Sequence, residues 1–422
     1  MQVFKFGGAS IRDAAAIRNV AKILEAHRGH PLLIVVSAMG KTTNALEKIV
    51  DAYVSGEGDP FALLEQARQA HFQVMVDLFD TSHEVFAAVN DTFVEIEWVI
   101  EDELQDSYDY IYDQIVSIGE MVSTKIVAAY LRQQNLPTHW LDVRDAILTD
   151  NTYRDGQVDW EATRHNIERN VKPLLGEAQF VLTQGFLGGT SENFTTTLGR
   201  EGSDYSAAIF SYCLDARDMT IWKDVPGILT ADPKLFDTAQ LIEQLSYKEA
   251  IEMTYYGAKV IHPKTIKPLQ NKQIPLYVRS FVAPEGKGSV ICAAAGLSYP
   301  PMIIRADDQC LIHIATRDFS FVAEHHLGRL FTLFASHRIR INMMQNTAIS
   351  FAVCVNNRKE RIAALCKELE TDFNVQLQES LSLLTVRHYE ENLLKDLVGD
   401  AEVVLEERIR DTVKMVIATQ PG

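Results

Sequence analysis

The 422-residue chain has no apolar run long enough to cross a bilayer; the longest, such as Leu32 to Val36, are strand-sized, against roughly 20 residues for a membrane helix. Its first residues, MQVFKFGGAS, lack a basic stretch followed by an apolar one and pass directly into a strand and a glycine turn, so a soluble, cytoplasmic protein is expected. Cysteine is scarce: five residues, an odd number without a C-x-x-C pair, fit neither a disulfide framework nor a zinc site and suit a reducing compartment. Positive charge is in deficit too. With 57 acidic against 40 basic residues the net charge is -17, which opposes nucleic acid or an anionic membrane as partner. An acidic protein that binds phosphate must therefore concentrate its cations locally. Neither G-x-x-x-x-G-K-[ST] nor G-x-G-x-x-G follows the first strand, which excludes a P-loop and a dinucleotide-binding dehydrogenase.

What is present is an ordinary globular composition, 47% hydrophobic and 23% charged, on a chain too long for one typical core. Short β-rich runs alternate with helical stretches over the first two-thirds, the pattern of an α/β domain with a mostly parallel sheet. Strands are expected at Val3 to Phe6, Leu32 to Ser37, Thr138 to Asp142, Gln179 to Gln184, Met219 to Trp222 and Pro275 to Arg279. Helices are expected at Arg12 to His27, Asn44 to Tyr53 and through one long acidic segment from Asp91 to Gln134. The pattern breaks at Gly286 to Pro301. Beyond it the order βαββαβ, from Cys310 to Val386, predicts a ferredoxin-like module. The remaining stretch, Glu390 to Gly422, holds a short helix and two short strands, too little to close a core, and is expected to pack on its neighbour.

The polar chemistry gathers at strand ends. The first strand runs into Lys5-Phe6-Gly7-Gly8-Ala9-Ser10, where a glycine pair lets backbone N–H groups approach a polyphosphate and Ser10, three residues before Asp13, reads as a helix start. Such turns also serve packing alone. The second strand ends in Ser37-Ala38-Met39-Gly40-Lys41-Thr42-Thr43, and two such loops at carboxyl ends suggest one shared crevice. Thr195-Thr196-Thr197-Leu198-Gly199-Arg200-Glu201-Gly202-Ser203-Asp204 then leads into an apolar helix. Arg200 offers a fork for a carboxylate, and Ser203 and Asp204 sit at a helix start. Lys223-Asp224 with Asp232-Pro233-Lys234 reads as plain turns or as a nucleotide embrace, and Gly257-Ala258-Lys259 repeats small residues before a lysine.

These segments resemble aspartate kinase of the amino-acid kinase superfamily: KFGGAS, TTTLGREGSDYSAA, WKDVPGILTADPK and GAKVIHP match its motifs in order over residues 1 to 295. The resemblance implies a three-layer, mostly parallel α/β sandwich in residues 1–297 and an ACT regulatory module in residues 303–389, with residues 390–422 a partial second ACT-like segment. It implies transfer of phosphate from ATP, with Mg²⁺ carried by the nucleotide and no protein metal site, to the side-chain carboxylate of L-aspartate. That reaction opens the route to lysine, threonine and methionine. Lys5 and Asp204 would be catalytic. Ser37, Thr43, Glu120, Phe186, Arg200 and Ser203 would hold aspartate, Glu120 taking its amino group and Arg200 its α-carboxylate. ATP would meet Lys5, Gly7, Gly8, Ser10, Lys223, Asp224, Lys234 and Lys259. A lysine or threonine effector would sit near Asp318, Ser320, Phe321, Asn342 and Met343, between paired ACT modules of a homodimer.

Three positions depart from the family pattern: Ala9 and Lys223 stand where Thr is commoner, and Glu201 where Gly is commoner, beside Arg200 and open to pairing with it. Kinases for glutamate, N-acetylglutamate, carbamate or UMP share the glycine loops but lack the GREGSD and KDVPGILTADP combination with an ACT tail. A catalytically silent amino-acid sensor would not need Lys5 and Asp204.

Overall fold

The computed structural model describes residues 1–177, 180–258, 261–317, 321 and 323–418. The chain divides into two compact units. The first comprises Met1–Ile228, Leu241–Ile251 and Val260–Ala295, the second Leu229–Gln240, Glu252–Lys259 and Gly296–Gly422.

The strands of the first unit are β1 (Gln2–Phe6), β2 (Leu32–Val36), β3 (Thr138–Leu141), β4 (Phe180–Gln184), β5 (Leu187–Gly189), β6 (Thr195–Thr197), β7 (Asp218–Lys223), β8 (Gln244–Ser246), β9 (Leu276–Ser280) and β10 (Ser289–Cys292). All but β5 and β6, which form a separate ribbon, make one sheet ordered β3-β4-β2-β1-β7-β9-β10-β8. It is parallel from β3 through β9; β10 reverses, and β8 runs with β10. Strand β2 reads as an unbroken apolar run, and β4 is buried throughout, because both faces are covered.

The helices of this region are α1 (Ala14–Glu25), α2 (Thr42–Ser55), α3 (Pro60–Leu78), α4 (Val85–Glu101), α5 (Tyr108–Val116), α6 (Ile118–Gln133), α7 (Trp160–Asn166), α8 (Leu174–Glu177), α9 (Gly202–Cys213), α10 (Tyr247–Tyr255) and α11 (Pro263–Asn271). Phe4, Phe6, Ile34, Val36, Phe180 and Leu182 point to one face, where α1 through α6 cover them. Alternation along β1 turns Lys5 to the other face, which α9 covers.

The helices differ from expectation at three places. The first helix begins not at Ser10 but at Ala14, capped by Asp13, whose carboxylate accepts from Ala16 N–H at 2.8 Å; Ser10 lies in a short 3₁₀ turn. The acidic segment from Asp91 to Gln134 is helical as expected but divided among three helices: the like-charged stretch after Glu101 interrupts it, and Ser107 caps the next helix. Helix α3 has no counterpart among the expected elements, although Asp59-Pro60 is a start signal, with the Asp59 side chain accepting from Phe61 and Ala62 N–H.

In the second unit, β11 (Met302–Thr316), α12 (Glu324–Ser336), β12 (Ile341–Asn346), β13 (Ser350–Asn356), α13 (Lys359–Leu369) and β14 (Phe373–Arg387) follow the expected βαββαβ order. Then α14 (Glu391–Val398), β15 (Val403–Ile409) and β16 (Thr412–Ala418) extend the same sheet, ordered β12-β13-β11-β14-β16-β15. Strands β11 and β14 are each 15 residues long and serve both halves; a bulge between Ala306 and Gln309 bends β11 between them. The sheet curls onto itself. Leu311, Met343 and Cys354 from one half pack with Leu383, Leu405 and Val416 from the other, and Lys414 Nζ on β16 donates to the Asn342 carbonyl on β12 at 3.3 Å.

Candidate active site

The sheet register brings four loops level. Phe6 lies opposite Val36 on one side and Trp222 on the other, and Val36 opposite Gln184, so Gly7, Ser37, Gly185 and Asp224 all leave the sheet at one edge. The chain builds outward from β1 in both directions, which opens a crevice beyond these carboxyl ends. A cleft of about 390 Å³ occupies it, lined by Gly8, Ser37, Ala38, Gly40, Thr43, Tyr112, Glu120, Arg154, Phe186, Thr197 and the turn Gly199 to Ser203.

Glycine is needed where the loops after β1 and β2 touch. A Cβ on Gly8 would stand 2.7 Å from the Ala38 carbonyl oxygen and 3.0 Å from that of Gly40, both backbone atoms. Gly40 N–H closes the contact by donating to the Gly8 carbonyl at 3.1 Å.

Behind the cleft, Lys5 Nζ and the Asp204 carboxylate form an ion pair at 2.6 Å, both side chains almost wholly buried. Burial alone would raise the Asp204 carboxyl, but Lys5 and Lys223 outweigh it and hold it below the usual range. Helix α9 reaches this position because Gly185 leaves no room for more than hydrogen: a Cβ there would meet Ser203 Cβ at 2.6 Å. Ser206 Oγ accepts from Phe186 N–H at 2.9 Å, fixing Phe186 in the left-handed region at φ +70°.

Glu120 is 3% exposed. One carboxylate oxygen accepts from Ala38 N–H at 3.1 Å, and the other, Oε2, has no hydrogen-bond partner among the described residues. Burial pushes this carboxyl up to about 8, against the opposing pull of Ala38 N–H and the Lys5 ammonium. A buried, half-satisfied carboxylate on a cleft wall is a receptor for a cationic group.

Of the residues singled out in the sequence, Ser37, Thr43, Glu120, Phe186, Arg200, Ser203 and Gly8 line the cleft. Lys5, Asp204 and Lys223 stand behind it, and a Cβ on Gly7 would lie 3.4 Å from Lys5 Nζ. Ser10 is fully buried, its hydroxyl donating to the Trp222 carbonyl at 3.3 Å. Asp224 is exposed at the end of β7. Lys234 belongs to the second unit, and Lys259, Asp318 and Ser320 lie outside the described residues. Phe321 is 75% exposed, Asn342 Nδ2 donates to Gln309 and Asn356 side chains, and Met343 is buried in the sheet core.

Glu201 does not pair with Arg200 among the described residues; its carboxylate accepts from the His262 backbone N–H at 3.0 Å instead. It does so from a left-handed conformation, φ +55°.

Tyr112, Asp113 and Arg154 join the site without having been expected from the sequence, and Thr197 joins from the polar segment singled out there. Asp113 is fully buried and accepts from Thr197 N–H and Oγ and from Arg154 N–H, all within 2.9 Å, thereby tying the threonine strand to the Arg154 loop. Burial raises its carboxyl to about 6 against those three donors. An aspartate in an acidic helix carries no local sign of such a role.

Residues 1–280 match the amino acid kinase family. Lysine-sensitive aspartokinase 3 of Escherichia coli is 29% identical over 91% of this chain and 86% of its own length. Aspartokinase of Chlamydia trachomatis is 33% identical over 72% of this chain and 67% of its own. Crystal structures of E. coli aspartokinase III, one with lysine and aspartate and one with aspartate and ADP, superimpose with TM-scores of 0.83 and 0.82 at 26% identity, covering 99% of this chain and 96% of theirs. The family match across two-thirds of the chain, the relatives and the arrangement of the cleft agree: this chain belongs to the amino acid kinase family and, within it, to the aspartokinases.

Proposed function

We propose that this protein transfers the γ-phosphoryl group of ATP to the side-chain carboxylate of L-aspartate, giving 4-phospho-L-aspartate, the opening step toward lysine, threonine and methionine. The observation that carries the proposal is the pairing, at one sheet edge, of the unpartnered Glu120 Oε2 in the cleft wall with the buried Lys5–Asp204 ion pair behind it.

Aspartate carries one ammonium and two carboxylates, and the cleft supplies a partner for each. The ammonium meets Glu120, satisfying Oε2. Arg200 takes the α-carboxylate as a planar fork. The β-carboxylate is then directed toward Lys5. That carboxylate is already nucleophilic, so the protein supplies alignment and charge neutralisation rather than a strong base. Asp204 holds the Lys5 ammonium in place to meet the negative charge on the transferring phosphoryl group. The Gly7-Gly8 loop lets backbone donors reach the polyphosphate, and Lys223 and Asp224 at the end of β7 lie at the same edge, suited to the nucleotide. Mg²⁺ carried with ATP would supply further neutralisation of the phosphate charge; Asp204 at this edge is already engaged by Lys5.

In this reading residues 1–297 are catalytic, residues 303–389 an ACT module, and residues 390–422 a partial second ACT-like segment packing on its neighbour. Lysine, which the E. coli relative is named for sensing, is the first effector to offer, threonine the second; Phe321, Asn342 and Met343 mark the region, and ACT pairing would make a homodimer. No helix among the described residues is long and apolar enough to cross a membrane, in keeping with a cytoplasmic enzyme.

The test is turnover of Mg-ATP with L-aspartate, L-glutamate, N-acetylglutamate or UMP, with hydroxylamine trapping the acyl phosphate. Hydroxamate from aspartate alone is expected. Neither hydroxamate nor ADP release with any of them sinks the kinase reading and leaves a silent amino-acid sensor.

A further inference from the structure

Arg200 is not the only arginine in the cleft. Arg154, on the loop between β3 and α7, lines the same cavity. Its guanidinium lies over the Tyr112 ring at 4.3 Å and the Tyr108 ring at 5.4 Å. The two phenol groups donate to Glu47 and Asp51, each at 2.8 Å, which enriches the rings and strengthens their hold on a cation. The Arg154 backbone is fixed as well: it adopts φ +66°, and its N–H donates to buried Asp113 at 2.9 Å. Asp109 takes Nη1 at 3.2 Å, and no other guanidinium nitrogen has a hydrogen-bond partner among the described residues. The side chain is 43% exposed.

An arginine stacked on its flat face, anchored at its backbone and left with open edge donors is a preorganised carboxylate receptor. Packing alone would not require an unusual backbone conformation held by a buried carboxylate. We propose that Arg154 binds the α-carboxylate of the substrate together with Arg200, making Arg154 a specificity-determining residue for an amino acid with a free α-carboxylate. This rests on the aspartate kinase reading above.

The experiment compares wild-type, Arg154→Gln and Arg154→Lys proteins with L-aspartate and with its α-amide, L-isoasparagine, in both steady-state turnover and calorimetric binding. The loss of a charge-assisted contact predicts a roughly tenfold or greater rise in KM for aspartate in Arg154→Gln, with kcat changed less than about threefold. The preference for aspartate over the α-amide should shrink by the same factor, with partial rescue in Arg154→Lys and KM for ATP unmoved. Unchanged aspartate affinity, or equal losses for aspartate and the α-amide, overturns the proposal and makes Arg154 a structural residue. Calorimetry reads the same comparison if turnover is low. Wild-type protein that neither binds nor phosphorylates aspartate overturns the kinase reading, and this inference with it.

Discussion

Lys5 on β1 and Asp204 in the first turn of α9 meet at 2.6 Å although 199 positions separate them, and both are buried behind the cleft. Removing one partner leaves the other charge in a desolvated site. Asp204→Ala is expected to cost about 3–5 kcal/mol in urea unfolding. The double variant Lys5→Met/Asp204→Leu should recover most of that stability and none of the activity. Asp204→Asn should lower kcat by about 100-fold or more, because the ammonium is no longer held where charge develops. Turnover of Asp204→Asn at the wild-type rate would remove the ion pair from the mechanism.

Glu120 couples function to pH. Its folded carboxyl titrates at about 8 against 4.5 for the unfolded group, so the folded state holds the extra proton. Stability from this group is full below pH 4.5 and is lost as pH rises through 8. Glu120→Gln should therefore stabilise the ligand-free protein at pH 8 by a few kcal/mol, on the order of the linkage. Binding the substrate ammonium requires the ionised carboxylate, so KM for aspartate should fall as pH rises from 6.5 to 8, and Glu120→Gln should bind aspartate poorly at any pH. A flat KM–pH profile in the wild type would contradict this assignment.

The Glu201 carboxylate holds the His262 N–H while its backbone stays left-handed, next to Arg200. Glu201→Gln keeps an acceptor and should change KM for aspartate less than about threefold, whereas Glu201→Ala keeps the strained backbone and loses a bond worth about 1 kcal/mol. Glu201→Gly should regain the lost stability through backbone freedom, yet both Glu201→Ala and Glu201→Gly should raise KM for aspartate, since neither holds His262 N–H. Equal KM values in all three would confine Glu201 to surface packing.

Gly8 tests the contact between the two glycine loops. A Cβ there meets backbone oxygens at 2.7 and 3.0 Å, which cannot rotate away. Gly8→Ala should cost about 1–3 kcal/mol and weaken ATP far more than aspartate, read by separate KM values. Equal effects on both substrates would place the loop away from the phosphates.

Much of this protein is written in local sequence. The buried strands declare themselves by unbroken apolar runs such as Leu32–Val36, the second unit by its βαββαβ spacing, and the loops by glycines and small polar residues at strand ends. These signals are short-range: backbone freedom and side-chain burial act within a few residues. Boundaries are weaker where a cap competes with a neighbour, as when Asp13 rather than Ser10 starts α1, or where the acidic stretch after Glu101 interrupts a helical segment. Only the tertiary structure decided that Glu201 would turn to His262 instead of Arg200, that Asp113 would tie Thr197 to Arg154, and that Lys5 would face Asp204. Those pairings depend on which strands lie side by side and on which face alternation turns each side chain, and a buried charge settles where long-range packing provides its partner.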